Sequence, residues 1–173
     1  MLAKPLNTQL QHKLMQFISL KSVYFSLLLA LLAELLPWSG WGLALRPDFV
    51  LLVVLYWLLR APYVCNIGTA WFAGLVVDLA TGGLFGQYAL AYSLTAFFAV
   101  SYQRRLTLFN PWQQAGYVFV LLLLAQITLL ILKLFAGGES PGWNYFLPSI
   151  SGILLWQLAM FSRIGAHSHP HKN

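Results

Sequence analysis

The chain has 173 residues, of which 60% are apolar and 8% charged, and carries a net charge of +6. An ordinary soluble domain is roughly one-quarter charged, so this chain cannot cover itself with polar side chains, and its many Leu and Trp residues argue against disorder. Its long apolar stretches indicate an integral membrane protein, in which the excess positive charge marks cytoplasmic loops rather than a nucleic-acid surface.

Residues 1–21 are polar and basic, with Lys4, Lys13 and Lys21 ahead of the first apolar run. Such a start can be a signal peptide. Here the run ends in Ala-Glu-Leu-Leu-Pro-Trp with no small-x-small cleavage site, so it reads as a retained first span, Ser22 to Trp38. Pro37 and the Trp-Ser-Gly-Trp-Gly turn end it, and Trp38 and Trp41 suit the membrane interface. Span two runs from Leu43 to Leu59. Its strongly apolar part, Phe49 to Leu59, would cover only about 16 Å as a helix. Arg46 and Asp48 are therefore expected within the outer interface. Pro47 fits a first helical turn, and Asp48 suits the positive end of a helix.

Arg60-Ala61-Pro62-Tyr63 is a tight turn. Span three, Val64 to Thr81, and span four, Gly83 to Tyr102, are separated only by Thr81-Gly82-Gly83 and form a helical hairpin. Arg104, Arg105, Asn110 and Pro111 make the next loop. Span five, Trp112 to Phe135, is the longest and can tilt. A loop from Gly137 to Trp143 carries Glu139, and span six is Trp143 to Ser162, with Pro148 near its start. The tail holds Arg163, Lys172 and the alternating His167, His169 and His171, read as a disordered polar tail. The expected organisation is a cytoplasmic segment 1–21, a six-span domain 22–162 and a cytoplasmic tail 163–173.

Orientation follows from counting cations. With the N-terminus inside, Lys4, Lys13, Lys21, Arg60, Arg104, Arg105, Arg163 and Lys172 are inner, while Arg46 and Lys133 are outer. Eight against two is a strong positive-inside bias. If span two dipped without crossing, later loops would flip and Arg104 and Arg105 would lie outside, against that bias. Six spans place both termini in the cytoplasm.

The four acids are Glu34, Asp48, Asp78 and Glu139, and in this arrangement all fall on the outer side. A buried ion persists only when paired. Asp78 and Glu34 are expected to face inward or toward a partner, with Arg46 as first candidate counter-ion. Asn66, Ala70, Gly74 and Asp78 step by four residues and form a stripe of small or polar residues. Such a stripe suits close helix packing, or a partner or substrate contact. No nucleophile elbow, phosphate loop, His-Glu-x-x-His or membrane-embedded histidine is present, and a second membrane aspartate convincing enough for an aspartyl protease is missing. No catalytic, cofactor or metal site is expected. The lone cysteine, Cys65, excludes an internal disulfide.

The series Arg46-Pro47-x-x-Val50-Leu51-Leu52…Tyr56-Trp57, then Pro62, Asn66-Ile67-Gly68-Thr69, Gly74, Asp78 and Gly82…Gly86, resembles the bacterial rod shape-determining protein MreD family. The resemblance runs from about Trp38 into span six. Chain length, short loops and Trp112-Gln113-Gln114 also fit. Residues 1–21 and the histidine-rich tail lie outside the pattern. The resemblance implies a noncatalytic inner-membrane scaffold of the cell-elongation machinery that supports rod shape and lateral peptidoglycan synthesis. It implies direct binding to MreC, a single-span protein with periplasmic coiled-coil and β domains, in a complex with MreB, RodA and a class B penicillin-binding transpeptidase. It also implies an all-α, six-helix transmembrane bundle resembling the S-component fold of energy-coupling-factor transporters. The alternative is a small-molecule or lipid-binding module like a vitamin-transporter S-component. Candidate partner-binding or structural polar residues are Arg46, Asp48, Tyr56, Trp57, Asn66, Gly74, Asp78, Gly82 and Gly86.

Overall fold

Several helices start or stop where the local sequence supplies a cap. The computed structural model describes residues 4–37, 39–40, 42, 45–83, 85–106, 110–138 and 142–167, with side chains from 20 onward except at 103–106, 111, 143–144 and 161–167. Among them are six α-helices and no strand: α1 Lys4–Leu35, α2 Phe49–Arg60, α3 Ile67–Thr81, α4 Gln87–Leu106, α5 Pro111–Phe135 and α6 Leu147–His167, the last preceded by a 3-10 turn, Trp143–Phe146. Asp48 caps α2, its Oδ1 accepting the Leu51 N–H at 2.8 Å. Asn66 and Thr69 form a reciprocal capping box at the start of α3. Gly82 ends α3 in the left-handed conformation, φ 64°, which costs glycine nothing. Pro111 opens α5, where a missing N–H does no harm.

These caps shift several expected boundaries. Span two shortens to the 12 residues of α2, because Asp48 takes the cap position and Pro47 lies before it rather than in the first turn. Span three begins at Ile67 rather than Val64, after the Asn66 cap. Span four begins at Gln87 rather than Gly83 and runs on to Leu106. The first helix extends back to Lys4, so the backbone does not break at residue 21. Trp38, Trp41, Glu139, His169 and His171 lie outside the described residues.

Size, more than polarity, decides which helix face turns inward. Among the described residues, ten of the 23 buried apolar side chains are alanines, whereas Phe25, Leu28, Leu32, Phe72, Leu79, Phe97, Leu154 and many other large ones are exposed. A water-soluble bundle would bury the large side chains. Small residues inside and large ones outside is the packing expected in lipid, where close backbone approach replaces the hydrophobic drive. α5 is long and apolar enough to cross a membrane by length and composition, from Trp112 to Phe135; Phe49–Arg60, Ile67–Thr81 and Leu147–Met160 are shorter apolar helices.

α2 is the central element. It buries Val50, Leu51, Val54, Leu55 and Leu58 and touches α1, α3, α4 and α6. A helix apolar on every side belongs at such a position. Around it, α3 and α4 form the tightest pair. α3 buries Ala70, Ala73, Gly74, Val77 and Asp78, and the buried residues of α4 include Ala89, Tyr92, Ala96 and Ala99. The backbones nearly touch at Gly74: a Cβ there would lie 2.5 Å from the Tyr88 carbonyl oxygen and 2.6 Å from Ala89 Cα.

Gly74→Ala must therefore push two backbones apart, at a cost of about 1–3 kcal/mol. Gly116→Ala on α5 is the control, because a Cβ there meets nothing within 4 Å and relief of glycine entropy should stabilise the helix. Thermal unfolding in detergent should show a lower Tm for the first and an equal or higher Tm for the second. An unchanged Tm for Gly74→Ala would refute the close contact.

Candidate functional site

Helix ends carry unpaired backbone amides and carbonyls, and in this bundle Glu34, Asp48 and Asp78 collect at one end to meet them. Glu34, in the last turn of α1, is 5% exposed, and Asp78, in the last turn of α3, is 2% exposed. Arg46 Nη2 donates to Glu34 Oε1 at 2.8 Å, and Arg46 Nη1 donates to the Glu34 backbone carbonyl, also at 2.8 Å. One guanidinium thus pairs the acid and caps the carbonyl end of α1. Glu34 Oε2 accepts the Phe49 N–H at 3.3 Å, so α1 also supplies an acceptor to the first residue of α2. Asp48 caps the same helix start and receives the Tyr92 hydroxyl of α4 at 2.5 Å.

Asp78 serves a second helix start. Gly86, φ 97°, precedes α4 and has no side chain with which to cap it. Asp78 reaches across from α3 instead. Its Oδ2 accepts the N–H groups of Gly86 and Ala89, both at 3.1 Å, and its Oδ1 accepts that of Tyr88 at 3.0 Å. Three amides at a positive helix end stabilise one buried carboxylate without a counter-ion. This corrects the expected pairing of Asp78 with Arg46. The guanidinium belongs to Glu34, the other acid considered for it.

The remaining candidates fall in two places. Gly74, Gly82 and Gly86 join Asp78 in closing the α3–α4 hairpin: a close contact, a left-handed stop and a capless start. Tyr56 and Trp57 lie on α2 away from the acids. Trp57 Nε1 donates to Ser26 Oγ of α1 at 2.8 Å, and Tyr56 stands edge-on to Trp57 and to Trp156 of α6, with centroids at 5.4 and 6.4 Å. Asn66 is exposed as the α3 cap and stands outside the buried stripe that Ala70, Gly74 and Asp78 do form.

Sequence reasoning missed Tyr92 and the Ser149–Gln126 bond at 2.6 Å between α6 and α5. It also missed the capping role of Asp78. One signal was available: Gly83-Leu84-Phe85-Gly86 precedes α4 without a Ser, Thr, Asp or Asn to cap it, so an acceptor had to come from elsewhere.

The described hydrogen bonds of the three carboxylates run to backbone amides, Arg46 and Tyr92 of the same chain. The arrangement holds four helices together at one end and spends its charge on doing so.

A family model described as rod shape-determining protein MreD matches residues 12–162. The rod shape-determining protein MreD of Haemophilus influenzae is 27% identical over 128 residues, covering 74% of this chain and 79% of that protein. No solved structure matches.

Substitutions at Asp78 and at the Glu34–Arg46 pair test the cluster. Asp78→Leu strands three amides and should sharply lower the amount of folded protein, while Asp78→Asn, which keeps one acceptor oxygen, should lose less; equal levels of all three proteins on quantitative blots would contradict the capping role. Arg46→Gln leaves Glu34 buried beside Asp48 and should cost about 3 kcal/mol. The Glu34→Gln/Arg46→Gln pair should cost less than the two single changes summed. Additive losses in detergent unfolding would show that the two side chains are uncoupled.

Proposed function

The chain belongs to the MreD family of rod shape-determining proteins, and on that premise we propose that it is a noncatalytic scaffold of the bacterial inner membrane that binds MreC. Through MreC it joins MreB, RodA and a class B penicillin-binding transpeptidase, and so supports lateral peptidoglycan synthesis. The family match over residues 12–162 carries this reading. The polar cluster supports it, because its charges are occupied in fixing helix ends.

In this reading the six helices are membrane spans arranged on the plan of an energy-coupling-factor S-component. Glu34, Asp48 and Asp78 mark the outer end. Lys21 lies about 20 Å from Glu34 along α1, and it marks the inner end together with Arg60, where α2 stops. Segments 1–21 and 163–173 then lie in the cytoplasm. Arg46, Asp48, Gly74, Asp78, Gly82 and Gly86 shape the outer surface, and the partner touches what they present. We place that contact at the α3–α4 tip, where Leu79 and Phe85 are 69% and 71% exposed on either side of the glycine turn.

Purification of the tagged chain in mild detergent, with mass spectrometry of proteins and small molecules, tests this. MreC should be recovered in fixed ratio, without a water-soluble ligand. An ATPase module together with a bound small molecule would replace the scaffold reading by that of a transport S-component. Phe85→Glu should leave the chain's abundance unchanged and reduce MreC recovery about tenfold. Unchanged recovery would remove the hairpin tip from the interface.

A further inference from the structure

α1 and α3 both lean on α2 but barely meet each other. Between them runs a groove of about 420 Å³, walled by Leu27 and Leu31 of α1 and by Phe72, Ala73 and Val76 of α3, with Val50 of α2 beneath. Almost all of its lining is apolar, and its lips, Tyr24, Leu28 and Phe72, are more than half exposed. In a bilayer this groove opens sideways to hydrocarbon. Left empty, its walls would forfeit their dispersion contacts. A helix is about 10–12 Å across with its side chains, so it would bridge the lips and fill little of the groove. A single acyl chain enters it lengthwise.

Charge distinguishes one lipid from another at the groove's far end. There the walls pass Val23 and Thr69 and reach Asn66 and Val64. Lys21 lines a shallow recess that shares Tyr24 and Leu28 with the groove. Arg60 ends α2, in the turn that leads to Val64. Both cations are exposed. Glu34, Asp48 and Asp78 are engaged at the opposite end of the bundle, and the fourth acid of the chain, Glu139, follows α5 in sequence. No carboxylate of the described residues pairs with Lys21 or Arg60.

We propose that the groove between α1 and α3 binds one anionic phospholipid, its acyl chain along Leu27, Leu31, Ala73 and Val76 and its phosphate at Lys21 and Arg60. Bulk lipid of any kind can wet the apolar walls; the two cations select a negative headgroup. This inference needs the bundle to stand in a bilayer and is independent of whether MreC binds.

The test is native mass spectrometry of the full chain, released from nanodiscs of equal parts phosphatidylglycerol and phosphatidylcholine and then stripped stepwise. One phosphatidylglycerol per chain should survive after phosphatidylcholine is lost. Lys21→Gln/Arg60→Gln, both exposed changes, should bring the retained lipids toward parity while the protein stays folded. Val76→Phe should abolish retention, with unfolding measured in parallel to show that the bundle is intact. Loss of both lipids from the unaltered protein, or a phosphatidylglycerol preference untouched by the Lys21/Arg60 change, would overturn the proposal. So would a lipid-free dimer, which would give the groove to a second copy. MreC recovery measured on Val76→Phe separates the two readings: retained MreC with lost lipid leaves the scaffold intact.

Discussion

A helix that ends among apolar side chains leaves amides and carbonyls that nothing apolar can satisfy, and this bundle is built around solving that problem at one end. α2 is too short to carry its first amides out to water, and α4 follows a glycine that cannot cap it. Each receives a carboxylate. Glu34 and Asp48 converge on α2, Asp78 reaches over to α4, and Arg46 balances the acid that lacks a full set of amides. The charges look extravagant in a chain so poor in them, yet each compensates a backbone dipole that would otherwise be stranded. The small-residue contact at Gly74 adjoins this arrangement. Two backbones approach closely because Gly74 has no Cβ, and Asp78, one turn further on, ties the start of α4 to the end of α3 beside that contact.

Much of this could be read in the residues. Apolar length marked α5 from Trp112 to Phe135 almost to the residue, because nothing interrupts that run. The four-residue stepping of Ala70, Gly74 and Asp78 identified the buried face of α3. Asp48 was recognised as suited to a helix start. The span boundaries were less legible where hydropathy and capping disagree: Gly83 to Gly86 are apolar or neutral and so look like the start of a span, but Gly86 is at positive φ and the helix begins only after it. The ion pairing was illegible for a different reason. Arg46 stood near Glu34 and Asp78 in the inferred depth profile alike, and only the folded backbone shows that three amides already occupy Asp78.

The site also separates two ideas that a sequence merges. A carboxylate within an oily segment suggests function, since its burial is costly. Here the cost is met inside the chain, and what remains for a partner is the surface those bonds hold in place. Tyr56 and Trp57 are similar: recognisable as a pair, they serve as cross-braces from α2 to α6 and α1.

The alanine-rich interior has a consequence for how such a chain drifts. In a protein whose core is made of large side chains, truncation opens cavities and the interior resists change. Where Ala70, Ala73 and Gly74 pack near Ala89 the interior is already small-sided, so trimming there has little left to remove and enlargement is what the fold cannot absorb. Many large side chains sit outside, where Leu, Ile, Phe and Val serve an apolar surface almost equally well. Divergence can accumulate there while a few glycines, alanines and acids keep the frame. A relative at 27% identity is then compatible with little change in how the helices meet.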